Sequence, residues 1–272
     1  MKNFHAVTIV LLTAIFITAV AFRRPKPVLY IIGDSTVASA KPGNLIQGWG
    51  RLLIGYFDTS KINIQNRAVS GISSRTYQTK GVHDPAMLKN GLWDSIMVTL
   101  KPGDFVLMQF GHNDESPVDD STRQRGSIRG TGNDSTIIFN RYLKRRETVY
   151  TYGWYLRKFI ADTRSRGAVP VICSPIPKNK WKDGKVVRNN NDYGKWAAEV
   201  AAEQHAFFID LNQLVADQYD AAGQEKINSG YFAPDNVHTT ETGAILNASL
   251  IAGSLKQLKD CELKNYLNNT FK

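Results

Sequence analysis

Five apolar, strand-like runs, separated by stretches with helical spacing, constrain this chain more than any other feature. The runs are residues 28–32, 62–69, 104–110, 168–173 and 207–211. Between the first two, residues 47–57 place Trp49, Leu52, Leu53 and Tyr56 on one stripe at three/four spacing. Residues 147–166 carry Tyr150, Trp154, Leu156, Phe159 and Ile160, with Gly167 as a stop. Residues 193–205 are alanine-rich, and residues 240–258 carry Ile245, Leu246, Leu250, Ile251 and Leu255 behind Thr239 or Thr240 as a cap. This alternation predicts βαβ units and an α/β domain with a mostly parallel five-stranded sheet. No internal repeat or low-complexity linker interrupts it, and 272 residues suffice for one sizeable core. Open sheets of this kind bind ligands beyond the C-terminal ends of their strands. Chemistry is therefore sought where the runs end.

Residues 1–21 follow a different grammar. Lys2 opens the chain without an acid, residues 7–21 are apolar except for Thr8, Thr13 and Thr18, and Ala19-Val20-Ala21 forms a small-x-small site before Phe22-Arg23-Arg24-Pro25. This is the pattern of a signal peptide. The apolar run is also shorter than the ~20 residues that span a bilayer comfortably. The expectation is a secreted or periplasmic protein, with residues 22–272 as a single domain and membrane contact only through the transient signal segment. An uncleaved anchor is the alternative. Only Cys173 and Cys261 are present, too few for a disulfide framework and without zinc-site spacing. They read as two free thiols, with a single bridge left open.

The net charge is +10, and loss of residues 1–21 would remove only Lys2, leaving about +9. A basic surface attracts polyanions. Export favours an anionic polysaccharide over nucleic acid as the partner, and no nucleic acid is expected. The plain alternative is a basic surface that serves only solubility. Residues 115–146 are long, polar and rich in Gly, Asp, Asn and Ser, and they carry Arg123, Arg125, Arg129, Arg141, Lys144, Arg145 and Arg146. So long an insertion after a strand end reads as a substrate-facing loop.

Four segments carry the chemistry. Gly33-Asp34-Ser35-Thr36 follows the first run and exposes a serine on a turn; that alcohol is a weak nucleophile until a base removes its proton. Asn66-Arg67-Ala68-Val69-Ser70-Gly71 ends the second run, and Gly71 lets its backbone N–H approach a bound group. Gly111-His112-Asn113-Asp114 ends the third, where Asn113 can aim an amide N–H at a developing oxyanion. His112 either touches substrate or packs. Asp235-Asn236-Val237-His238 precedes the last helix; His238 is the natural base and Asp235 would orient its ring. Each segment alone is weak. Together they supply the nucleophile Ser35, oxyanion donors from Ser35, Gly71 and Asn113, the base His238 and the acid Asp235, which completes an acyl-transfer site. A metal centre lacks further ligands, so no metal or cofactor is expected.

The sequence also resembles the SGNH (GDSL-type) hydrolases, whose four blocks are centred on Ser, Gly, Asn and His. The matching positions are Ser35, Gly71, Asn113 and His238, with Asp235 as the acid of the closing block, and the likeness runs from residue 28 to 258. Within that family it is most similar to rhamnogalacturonan acetylesterases, through Gly33-Asp34-Ser35-Thr36-Val37, Asn66-Arg67-Ala68, Ser74-Arg75-Thr76-Tyr77, Gly111-His112-Asn113-Asp114 and Asp235-Asn236-Val237-His238-Thr239. The resemblance implies a three-layer α/β/α sandwich of the flavodoxin-like kind and metal-free deacetylation of a pectic, acidic polysaccharide by a monomer. Residues 115–146 match worst. Arg75 and the basic insertion are expected to bind uronate carboxylates, with His112 as a further substrate contact. Acetylxylan or another acetylated carbohydrate is the alternative substrate. A lipase or thioesterase would want an apolar trough rather than these polar, cationic loops. A non-catalytic carbohydrate-binding module would have no use for such a set of groups.

Overall fold

The computed structural model describes residues 25–41, 43–79 and 91–269. The signal-peptide expectation for residues 1–21 therefore lies outside the described residues. The chain opens with β1 (Val28–Gly33), α1 (Trp49–Leu53) and β2 (Asn63–Asn66), then α2 (Ser74–Gln78), α3 (Leu92–Met97) and β3 (Phe105–Gln109). A hairpin of β4 (Ser135–Asn140) and β5 (Arg145–Tyr150) leads into α4 (Tyr152–Ser165) and β6 (Val169–Cys173). A second, short hairpin of β7 (Trp181–Lys182) and β8 (Lys185–Val186) precedes α5 (Tyr193–Glu203) and β9 (Phe207–Ile209). Helices α6 (Leu211–Ala222), α7 (Gln224–Gly230) and α8 (Glu241–Gln257) complete the domain.

The main sheet has five strands in the order β2-β1-β3-β6-β9, every neighbouring pair parallel. Counted within the sheet, that order is 2-1-3-4-5, the flavodoxin-like arrangement. Alternation along the strands makes two cores. Leu29, Ile31, Phe105, Leu107 and Val171 face α1, α6 and α8, through Trp49, Val215, Ile251 and Leu255. Tyr30, Ile32, Val106, Met108 and Ile172 face α2 to α5, through Tyr77, Trp93, Phe159 and Ala197. A sheet buried on both faces needs helices on both faces, and the result is a three-layer α/β/α sandwich. Each fully buried aliphatic chain contributes roughly 1.5–3 kcal/mol.

Two expectations need correction. The helix predicted from residue 147 begins at Tyr152, because Thr151 caps it, its hydroxyl accepting the Trp154 N–H at 3.0 Å. Residues 145–150 pair instead with 135–140 as an antiparallel hairpin, so the basic insertion is not wholly irregular. Thr148, Val149 and Tyr150 are β-branched or aromatic, which favours a strand. At the last helix Thr240 is the cap, while Thr239 donates its hydroxyl to the Gln47 carbonyl at 2.8 Å. Cys173 and Cys261 are buried and unbridged. No helix among the described residues is long and apolar enough to cross a membrane.

Candidate active site

The neighbours of β1 in the sheet, β2 and β3, set the switch point where a parallel sheet opens a crevice at its C-terminal edge. β1 ends at Gly33, where a Cβ would lie 2.6 Å from the Gln109 carbonyl oxygen, so only glycine lets the two strands close here. Buried Asp34 then folds the turn: its Oδ1 accepts the Thr36 N–H at 2.8 Å and the Thr36 hydroxyl at 2.7 Å. This tight Asx-type turn presents Ser35 to the cleft.

The loop before α8 brings the acid and the histidine to the same point. Asp235 Oδ1 accepts the backbone N–H of Val237 (3.0 Å) and His238 (2.9 Å). Its Oδ2 lies 2.5 Å from His238 Nδ1, and His238 Nε2 lies 2.8 Å from Ser35 Oγ. With Nδ1–H donated to the carboxylate, Nε2 offers its lone pair to the serine hydroxyl. Asn236 adopts a left-handed φ of 61°, which closes the loop tightly enough for Asp235 to reach back. Partial burial would raise the Asp235 carboxyl, but the hydrogen bonds from His238 and Val237 outweigh it and hold the group below its ordinary value.

Gly71 and Asn113 line the same cleft as Ser35 and His238. Gly71 has φ of +80°, a backbone conformation that favours glycine. Asn113 donates one amide hydrogen to the Ile72 carbonyl at 2.8 Å, which fixes the plane of its amide and leaves the second hydrogen for the cleft. The cleft has a volume of about 930 Å³, room for several sugar units. Arg123, Arg125 and Lys178 line it, with Glu115 ion-paired to Lys178. The Arg125 guanidinium donates to the Gly71 carbonyl and to Ser116 Oγ, each at 3.3 Å. Desolvation first, and then the neighbouring Arg123 charge, lower its pKa. Among the described residues no group of three or more His, Cys, Asp or Glu side chains could hold a metal ion.

Residues 31–244 match the model of the GDSL-like lipase/acylhydrolase family. The chain belongs to that family. This GDSL-family chain is 27% identical over 234 residues to a probable rhamnogalacturonan acetylesterase of Bacillus subtilis, covering 85% of this chain and 93% of the relative. It is 28% identical over 217 residues to a rhamnogalacturonan acetylesterase of Emericella nidulans, covering 79% of each. A solved Bacillus subtilis protein shares the fold with a TM-score of 0.67 at 23% identity; the match covers 86% of this chain and only 57% of that one. An acetylxylan esterase of Geobacillus stearothermophilus superposes with a TM-score of 0.50 at 17% identity, over 83% of this chain and 92% of that one.

Not every residue expected at this GDSL-family site is in it. Ser35, Gly71, His112, Asn113, Asp235 and His238 all line the cleft, whereas Arg75 does not. The Arg75 side chain is wholly buried in a two-pronged pair with Glu147, Nε–Oε1 3.0 Å and Nη2–Oε2 2.7 Å, and its Nη1 donates to the carbonyls of Val118 and Gly126. The expectation that Arg75 binds substrate is thus overturned: its donors are spent on fastening α2 to β5 and the insertion. His112 reaches the cleft wall, but its Nδ1 faces Asp34 Oδ2 at 3.1 Å and its Nε2 the Ile176 carbonyl at 3.0 Å. Neither ring nitrogen is left to hydrogen-bond a substrate. Arg129 points elsewhere, its guanidinium lying over Tyr193 (5.7 Å) and Trp196 (5.3 Å). Sequence reasoning missed Lys178 and Tyr142 as lining residues. Lys178 was findable, since it follows the C-terminal end of β6 just as Asn113 follows β3.

Proposed function

We propose that this chain is a serine carbohydrate acetylesterase that removes O-acetyl groups from an acidic plant-type polysaccharide, pectic rhamnogalacturonan first. The observation that carries the chemistry is the unbroken chain Asp235–His238–Ser35 at 2.5 and 2.8 Å, set in a cleft that Gly71 and Asn113 also line. His238 takes the Ser35 proton as the serine oxygen attacks the acetyl carbonyl. The backbone N–H groups of Ser35 and Gly71 and the Asn113 amide receive the oxyanion. Protonated His238 gives its proton to the departing sugar oxygen, leaving an acetyl ester on Ser35. Water, deprotonated by the same histidine, releases acetate and restores the serine. No metal or cofactor takes part.

The substrate reading rests on two supports. The Bacillus subtilis and Emericella nidulans relatives align over most of their length. Arg123, Arg125 and Lys178 line a cleft whose acids are Glu115 and the dyad's own Asp235. A neutral acyl-lipid substrate would gain little from such a wall. The mature enzyme is read as residues 22–272, a monomer exported by the segment 1–21. Acetate release from acetylated rhamnogalacturonan and acetylated xylan, and p-nitrophenol release from p-nitrophenyl palmitate, assayed side by side, test the reading. The pectic polymer should be fastest and the palmitate ester inert; a faster xylan would retain the chemistry and move the substrate to a neutral glycan.

A further inference from the structure

Beneath the cleft floor runs a chain of polar side chains that the acyl-transfer scheme does not use. Trp49 Nε1 donates to Gln109 Oε1 at 3.0 Å, and Gln109 Nε2 to Thr36 Oγ1 at 2.6 Å. Thr36 donates in turn to Asp34, and Asp34 meets His112, which ends on the Ile176 carbonyl. Trp49, Gln109, Thr36 and Asp34 are buried, and the His112 side chain is only 6% exposed. The chain joins the turns after β1, β3 and β6 to one another.

We infer that His112 is a positioning residue for the esterase reaction: through Asp34 it locks the turn bearing Ser35 to the turn bearing Asn113. This rests on the function proposed above. Two of the three oxyanion donors, Ser35 and Asn113, sit on separate turns, after separate strands, and each adjoins one member of the clamp. Asp34 precedes Ser35 and His112 precedes Asn113. One oxygen of Asp34 is occupied by Thr36, so its other oxygen is what His112 holds. Both ring nitrogens face acceptors, a carboxylate and a carbonyl, so the ring donates from both and is an imidazolium. Burial pulls the His112 pKa down, yet the charge and hydrogen bond of Asp34 and the Ile176 carbonyl hold it above its ordinary value. Burial likewise raises the Asp34 carboxyl, and His112 with Thr36 brings it below its ordinary value. The clamp is therefore charged on both sides and shielded from water, which makes it stiff. A transition state needs its donors fixed to within a fraction of an ångström, and a misplacement of about 1 Å can cost on the order of 10²-fold in rate.

Conservative replacements separate geometry from mere stability. An asparagine at 112 places its amide nitrogen near the present Nδ1 and keeps the Asp34 bond, whereas a glutamine reaches the Nε2 position and keeps only the Ile176 bond. Asp34→Asn keeps both links, with the amide donating to a neutral imidazole. Steady-state kinetics on p-nitrophenyl acetate, phosphorylation of Ser35 by an organophosphate, and thermal melting would be measured for each variant. His112→Ala and His112→Gln should lower kcat by roughly 10–10²-fold with KM nearly constant, and slow phosphorylation in parallel. His112→Asn and Asp34→Asn should stay within about fivefold of the parent. If His112→Ala does not fold, the Asn/Gln ranking decides alone. Folded His112→Ala or His112→Gln with parental kcat, or His112→Asn as poor as His112→Gln, would overturn the inference. Ser35→Ala run alongside keeps the two readings apart: an active Ser35→Ala sinks the serine mechanism itself, whereas an inactive one beside unaffected His112 variants sinks only the clamp.

Discussion

The two walls of the cleft are built on opposite plans. The sheet-edge wall carries Ser35 and Asn113 on short turns whose polar groups are buried and mutually satisfied, from Trp49 through Gln109, Thr36 and Asp34 to His112. The wall made by residues 115–146 is open and cationic; Arg123 and Arg125 face the cleft, and the hairpin behind them exposes Ile137 and Phe139. Buried arginine fastens this insertion to the body, Arg75 bonding Glu147 and the Val118 and Gly126 carbonyls, with Asp114 beside it taking hydrogen bonds from Ser74 and Ser127. The difference teaches where rate and selectivity should reside. The rigid wall holds groups that must meet a transition state to within tenths of an ångström. The open wall holds charges that act over several ångströms and tolerate movement.

If this division holds, changes on the rigid wall should strike kcat, and changes on the other wall should strike stability or polymer preference. The largest effect is expected from Ser35→Ala. Its hydroxyl contributes little packing, so the protein should fold and keep at most the ~10³–10⁴-fold residual catalysis over water that binding and the oxyanion donors provide. Circular dichroism together with ester hydrolysis reads both halves. Next comes Arg75→Ala, which strands the Glu147 carboxylate and should cost about 3–5 kcal/mol in denaturant unfolding. In the folded fraction the small-ester kcat should be close to the parent's, and a large loss there would return Arg75 to the site. Asn113→Ala should lower kcat by roughly 10²–10³, about 3–4 kcal/mol, with little change in KM. A raised KM with kcat preserved would make Asn113 a binding group instead.

Two smaller effects probe the insertion. Burial pushes the Asp114 carboxyl up to about 6, against the bonds from Ser74 and Ser127. A carboxyl raised in the folded state adds stability that is full below its unfolded value near 3.8 and is lost as pH rises through about 6. Between pH 4 and 7 the parent should therefore lose on the order of 2–3 kcal/mol relative to Asp114→Asn, and equal pH profiles would contradict this. The smallest effect is the charge reversal Arg123→Glu. It should cut kcat/KM on an acidic polymer by roughly tenfold at low salt and spare p-nitrophenyl acetate. The parent's preference for acidic over neutral polymer should shrink as salt shortens the Debye length below ~10 Å.

What was legible in the sequence follows the same division. Ser35, Gly71 and Asn113 could be read because each sits within a few residues of a strand end, and the strands announce themselves as apolar runs such as 104–110. The Asp235–His238 pair was legible because its partners are three residues apart. Contacts spanning long stretches of chain were not. Asp34 and His112 are 78 residues apart, and Arg75 and Glu147 are 72 apart, so nothing local couples them. Arg75 was misassigned for that reason, since a buried arginine and a substrate-binding one look alike until the carboxylate beside it is known. The β4–β5 hairpin escaped because most of it is exposed, Ile137 and Phe139 included, and of its apolar residues Val149 alone is fully buried.

The central claim is that Ser35 is the nucleophile and His238 its base. Its most direct test is covalent trapping with diethyl p-nitrophenyl phosphate, followed by peptide mapping. The account predicts one adduct per chain, on the peptide containing Ser35, formed in step with the loss of esterase activity and slowed by orders of magnitude in His238→Ala. A stoichiometric adduct on another residue, or full activity with Ser35 blocked, would contradict it.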